Sequence, residues 1–286
     1  MIILIRVYRR IQSTTLHAAW WWGFVAMIVW AFALVASFAR FAVSPFTSDV
    51  LWYLAAVLTL CPFVSVLGAR RPVANVWSLF VVFPLIAVFC LPIFTNWGED
   101  RLHLELPAVL GFCLVAMMGA GNYLGTRHTF SVIAVGVALF LVVNTFTDAA
   151  QQSLNPADIE FRRILGACFF AGGFLLGHLF HARRQRIPAS ETSATDLHSE
   201  FPPWTEFLHM FGILWAKRIL ERVNRTAEEE RWPARLDFGG FIWNKADLPE
   251  EEKRQTQQRL EQTLRWLFKR FVDSDWIDRH LNNSQS

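Results

Sequence analysis

The 286-residue chain is 53% hydrophobic and only 18% charged, below the ~25% charged residues usual in soluble domains. Its net charge of +3 is too small to argue for a nucleic-acid partner. The charges are sparse before residue 182 and dense and nearly balanced after it, and this shift marks the domain boundary.

Residues 1–15 carry Arg6, Arg9 and Arg10 on a short apolar piece that is too short to span and is predicted to lie at the membrane interface. Six apolar runs follow, at residues 18–39, 50–67, 73–94, 104–124, 129–146 and 164–180. Each approaches the ~20 residues that a helix needs to cross a ~30 Å hydrocarbon layer. A secretory signal would have an apolar region of only ~7–15 residues, so the first run is read as a retained anchor. Pro62, Pro84, Pro92 and Pro107 lie within or at the start of these runs. Spanning helices tolerate prolines because neighbouring groups re-satisfy the freed carbonyls. The 13 Trp and 26 Phe suit bilayer contact and interfacial belts.

Basic residues orient the bundle. With the N-terminus inside, the inner segments hold Arg6, Arg9, Arg10, Arg70, Arg71, Arg127, Arg183, Arg184 and Arg186. The outer segments hold Arg40, Arg101, Arg162 and Arg163. This bias follows the positive-inside rule. The expectation is an all-α, polytopic membrane protein: six spans over residues 16–186, a linker at 187–203 and a helical cytosolic tail at 204–286. Both termini face the cytoplasm, and the lipid bilayer is its first partner.

In the tail, Trp204, Phe207, Leu208, Phe211, Trp215, Ile219 and Val223 recur at helical steps. This stripe suits either the inner leaflet or the tail's other helices. A second helix is predicted to start at Asp247, with Glu250 completing a capping box and Pro249 in the first turn. Leu260, Leu264, Leu267, Phe268 and Phe271 form its stripe, and a last turn holds Trp276, Ile277 and Leu281. Such a tail has a small core and needs the bundle, the bilayer or a protein partner for stability.

Chemistry-bearing patterns are few. Cys61, Cys90, Cys113 and Cys168 all lie inside apolar runs without a CxxC pair, as small buried hydrophobes do. Asp237-Phe238-Gly239 spells the metal-binding triplet of kinases, yet no glycine-rich loop or catalytic-loop motif accompanies it, so it is read as a turn. Asn224 opens a glycosylation sequon on the cytoplasmic side, where it is discounted. His178 and His181, near His17 and His128, lack the carboxylate or cysteine partners of a metal site and are read as interfacial. No cofactor, metal or catalytic set is expected, and an enzyme ranks last.

The middle of every span lacks Asp, Glu, Lys and Arg, and charges gather at the outer rim instead: Glu99, Asp100, Arg101, Glu105, Asp148, Asp158, Glu160, Arg162 and Arg163. Asn144 stands near the outer end of the fifth span. An apolar path with a charged mouth would draw on Glu105, Asn144, Asp148, Arg162 and Arg163. The two arginines suit anchoring the helix at the interface first, and attracting a departing anion second. Gly121 with Gly125, and Gly166, Gly173 and Gly177, are candidate helix-packing positions, within one bundle or in a homo-oligomer.

Residues 123–146, YLGTRHTFSVIAVGVALFLVVNTF, and 155–180, NPADIEFRRILGACFFAGGFLLGHLF, carry a resemblance. The segment from about residue 52 to 184 resembles the six-span repeat of the fusaric-acid-resistance and aromatic-acid-exporter family. The shared features are Arg127, the apolar run at 129–146, Pro156 with Asp158, Arg163, and Gly166 with Gly172. The family usually has two repeats, whereas this chain has one, and GARRPVANVW stands where an Arg/Gly-Thr pattern is usual. The resemblance implies a bacterial inner-membrane exporter of small aromatic or hydrophobic organic anions, with a dimer supplying the second half. The alternative is a membrane anchor or adaptor whose tail at 204–286 recruits a cytosolic protein or senses the membrane.

Overall fold

The computed structural model describes residues 7–8, 11–38, 44–184, 198–199, 201–244 and 248–282. Arg6, Arg9, Arg10, Arg40, Arg186, Asp247 and most of the linker at 187–203 lie outside these residues, as do the side chains of His181, Arg183, Arg184 and Leu281.

The bundle begins with α1 (His17–Phe38) and α2 (Pro45–Leu67), which lie along one another. Ser44 starts α2 by accepting the Thr47 N–H, with Pro45 in the first turn where its missing N–H costs nothing. A short helix α3 (Ala74–Trp77) runs through a π-helical turn (Ser78–Val82) into α4 (Phe83–Thr95). That wide turn stands just before Pro84, where the i→i−4 ladder loses a donor. Next come α5 (Leu106–Gly121), α6 (Thr129–Asn144), the short α7 (Asp148–Ser153) and α8 (Pro156–Arg184).

Three stretches, His17–Phe38, Pro45–Leu67 and Ser78–Thr95, are long and apolar enough to cross a membrane. Helices α5 and α6 are apolar but have 16 residues each, about 24 Å at 1.5 Å per residue. They are shorter than the runs at 104–124 and 129–146, because α5 spans only Leu106–Gly121 and α6 ends at Asn144, each followed by turns. The outward surface is apolar, with Phe32, Phe80, Phe94, Leu114 and Phe140 all more than half exposed, as a surface facing lipid requires. Trp30, Trp52, Tyr53, Phe89, Phe112 and Phe146 fill the interior. Hydrogen bonds from Trp30 to the Thr59 hydroxyl (2.9 Å) and from the Tyr53 hydroxyl to the Phe89 carbonyl (2.7 Å) tie α1 and α4 to α2.

The C-terminal part holds α9 (Pro202–Glu229), α10 (Glu250–Phe268) and α11 (Ser274–Asn282). It also holds a small sheet that the all-helical expectation for the tail lacks. Strands β1 (His198–Ser199), β2 (Ala234–Asp237) and β3 (Gly240–Trp243) pair antiparallel in the order β1-β3-β2. Asp237 pairs with Gly240, so Phe238 and Gly239 form the hairpin turn between β2 and β3. Helix α10 starts with Glu250, Glu251 and Glu252 in its first turn and has Arg265 in its last, the charge order a helix dipole favours.

The apolar stripe of α9 is buried against α10 and α11. Phe207 stacks on Phe211 and Phe268, at centroid distances of 4.7 and 4.6 Å. The same core takes in Ile11 and Leu16 from the N-terminal segment, Val66 from the end of α2 and Ala69 from the α2–α3 loop. The C-terminal part therefore has no core of its own separate from the end of the bundle on which it sits.

Candidate functional site

The loops divide between the two ends of the bundle, and each end has a polar assembly. At the end away from α9, the start of α2 meets the α4–α5 loop, the end of α6 and the first turns of α8. Asp49 is fully buried there, and Arg163 is 2% exposed. Arg163 Nη2 donates to Asp49 Oδ1 at 2.8 Å, and its Nε donates to the Thr145 hydroxyl at 3.2 Å. The guanidinium also lies over the Phe146 ring, 5.0 Å from its centroid. Arg101 donates to the same carboxylate oxygen at 3.2 Å, and the Leu102 N–H donates to the other at 3.1 Å. Asp49 thus ties three separate chain segments together, and every strong contact a buried carboxylate needs is made.

Asp49 is absent from the sequence-based list of outer-rim charges, because it sits at the seam between a loop and an apolar run. The signal was its isolation, since no other carboxylate precedes Glu99. Arg163 is not the solvated rim charge the sequence suggested. Helix α8 begins at Pro156, so Arg163 lies two turns inside it, and the α4–α5 loop and the end of α6 close over it. Arg162 is partly exposed. Asp148 is exposed and pairs with His103 at 3.2 Å. Glu105 is exposed at the start of α5, and Asn144 accepts through its carbonyl from the Thr147 hydroxyl at 2.9 Å. Of the five residues proposed for a path, the Asp49 cluster gathers only Arg163.

At the opposite end, α9 is broken at Gly212, with φ 79° and ψ 178°. This backbone conformation is open essentially to glycine alone. A break inside a helix frees backbone donors and acceptors, and Asn122 takes them up. The Ile213 N–H donates to the Asn122 carbonyl at 2.8 Å, and the Leu214 N–H donates to its Oδ1 at 2.9 Å. Asn122 Nδ2 donates to the Phe211 carbonyl at 3.2 Å, and the Tyr123 hydroxyl donates to that of Met210 at 3.3 Å. An added Cβ on Gly212 would come within 2.3 Å of Asn122 Nδ2. Chain break and capturing side chain therefore fit as a joint between α5 and α9.

Three further ties hold this end. Arg127 makes a two-pronged pair with Glu206, at 2.8 and 2.9 Å. Trp215 Nε1 donates to the Val66 carbonyl at 2.9 Å. The N-terminal segment joins in through the Thr15 N–H to the Phe271 carbonyl and the Asp273 N–H to the Ser13 carbonyl, both at 2.8 Å. Arg71 pairs with Asp273. The sequence marked Arg127 only as an inner-loop charge, and it gave no sign that Asn122, Glu206 and Gly212 belong together, because the joint is built from residues ~90 apart in the chain.

The glycines separate into two groups. On α8, a Cβ at Gly166 would come within 2.9 Å of Val142, and one at Gly173 within 2.9 Å of the Ser131 carbonyl. A Cβ at Gly177 would stand 3.1 Å from the Ser131 hydroxyl. All three lie against α6 of the same chain, where the absent side chains permit close approach. Gly121 has open space around it, and Gly125 lies in the turn beyond α5 with φ +80°. These two do not share a helical face, since α5 ends at Gly121.

Among the described residues, no group of three or more His, Cys, Asp or Glu is placed to hold a metal ion. No family model matches the chain, and no curated protein or solved structure matches it.

Proposed function

We infer that the chain is a multi-span protein of the bacterial inner membrane that holds a cytosolic unit in a fixed attitude at its inner face, as a membrane anchor or adaptor. The observation that carries this reading is the shared core in which Ile11, Leu16, Val66 and Ala69 pack with α9, α10 and α11. A passive tail needs no such seating, whereas a unit that presents a surface to a cytosolic partner gains orientation from it. Six crossings are proposed, by α1, α2, α3 with α4, α5, α6 and α8. Their support is the alternation of loops between the two ends, together with the basic residues Arg70, Arg71 and Arg127 at the end that carries α9.

The polar outward side of α10, with Glu251, Arg254, Gln255 and Gln258 exposed, is the surface proposed to meet the partner. Export of aromatic acids, as the exporter-family resemblance implies, comes second. It needs a positive group free to meet an anion, and of the two arginines named for the path the pairing of Arg163 with Asp49 leaves the partly exposed Arg162 for that role.

Affinity capture of the tagged full chain in mild detergent tests the assignment, with R254E/Q258E as the comparison. A protein retained by wild type and lost from the variant, at equal chain level, is the expected result. The reading falls if both chains retain the same proteins. Export would replace it if cells lacking the chain also became sensitive to an aromatic acid and Arg162→Gln reproduced that sensitivity.

A further inference from the structure

Hydrogen bonds fix part of the C-terminal unit at the depth where the bundle's helices end. Arg71 lies just beyond α2, and its N–H donates to the Arg270 carbonyl at 2.8 Å. Leu214 is bonded to Asn122, just beyond α5, at 2.9 Å. Arg270 and Leu214 therefore stand close to the ends of two proposed spans, at the level where a bilayer turns from hydrocarbon to headgroups.

The surface at this level is basic and amphipathic. Arg70, Arg218 and Lys269 are exposed. Arg270 lies over the ring of Trp266, 4.8 Å from its centroid, and Trp266 is 54% exposed. Leu214 is 43% exposed one turn before Arg218. Among the described residues, Arg70, Arg218, Lys269 and Arg270 have no carboxylate partner. Nearby acids are engaged elsewhere, Asp273 with Arg71, Glu221 with Lys217 and Asp278 with Arg265. The result is a strip of uncompensated positive charge interleaved with a Trp and a Leu.

We propose that this strip binds the headgroups of anionic phospholipids in the leaflet around the inner end of the bundle, an assignment that rests on the membrane reading above. Guanidinium groups match phosphate oxygens in two-pronged fashion. Tryptophan favours the boundary between acyl chains and headgroups, as Trp266 would. An acidic protein segment would satisfy the same charges, but the level of Arg270 and Leu214, beside the ends of α2 and α5, favours lipid. The lipid contact would press α9 and α10 against the membrane and so reinforce the joint at Gly212.

The test uses the purified full chain in mixed micelles of phosphatidylglycerol and phosphatidylcholine at equal amounts, with retained lipid measured by mass spectrometry. Wild type is expected to retain phosphatidylglycerol preferentially. Each lysine or arginine removed should lower that preference by up to about fivefold, so R70Q/R218Q/K269Q/R270Q loses most of it. The charge-keeping R70K/R218K/R270K should retain the preference. If the fourfold variant fails to fold, Arg70→Gln and Lys269→Gln separately provide the reading, since neither side chain has a described bonding partner. Equal retention of both lipids by wild type, or an unchanged preference in the charge-removed variants, overturns the proposal. So does full displacement by millimolar inorganic phosphate, which would assign the strip to free phosphate. Extraction of cell membranes with alkaline carbonate separates the two readings. A chain released by it sinks the membrane assignment, whereas a chain that stays without lipid preference sinks this proposal alone.

Discussion

Asp49 shows how one residue can organise an end of a bundle. A fully buried carboxylate is tolerable because Arg163, Arg101 and the Leu102 N–H all point at it. Breaking such a pair from one side leaves an uncompensated buried charge and costs about 3–5 kcal/mol. Asp49→Asn is therefore expected to lower stability by that amount, measured as thermal unfolding in detergent. Arg101→Gln should cost at most about 1 kcal/mol, since its side chain is 32% exposed and makes the longer contact. The double variant Asp49→Asn with Arg163→Gln should cost clearly less than the sum of the single changes, because neither charge is then left alone. Additive losses would mean that the pair is not coupled. The sequence displayed Arg163 but not its partner. Hydropathy places a charge at the edge of a span, and it does not reveal which loops fold over that edge.

At the scale of elements, helical periodicity made most of the architecture legible. The stripe Trp204 to Val223 was visible as one face of a helix, and Gly166, Gly173 and Gly177 were visible as a close-packing face. What periodicity does not carry is a break that leaves the pattern in register. Gly212 lies inside the stripe, so α9 reads as one helix although its backbone is broken there. The small sheet escaped for a related reason: its strands have two to four residues each, too few for alternation to register. The joint yields its own prediction. Gly212→Ala must adopt φ near +79° and displace Asn122, a strain of about 1–3 kcal/mol before any clash is counted. Asn122→Ala removes one donor and one acceptor from the broken helix, worth roughly 2–4 kcal/mol together. Both variants should open α9 to limited proteolysis near residue 212 well before the bundle unfolds. If cleavage is as slow as in wild type, the joint is not what holds α9 in place.

At the scale of the whole molecule, the division into a bundle and a separate tail is too simple. Removing residues 187–286 would expose Val66, Ala69, Leu16 and Ile11, so a truncated chain reports lost stability as much as lost function. The same packing decides how topology should be probed. A cysteine at Gly68 would collide with the Trp77 ring, and one at Thr126 would sit in a position only 7% exposed. Either would be shielded whichever side of the membrane it faced. Glu99, in the exposed α4–α5 loop, and Gln258, on the outward side of α10, are open positions at opposite ends. In a background without the four native cysteines, Glu99→Cys should react with a membrane-impermeant maleimide in intact cells. Gln258→Cys should react only once the membrane is permeabilised. Both reacting in intact cells would overturn the proposed six-span arrangement, since these ends must then lie on the same side. Reaction of Gln258→Cys alone would keep the bundle and reverse it, placing the basic end outside. The strip at Arg70, Arg218, Lys269 and Arg270 would then meet the outer leaflet instead.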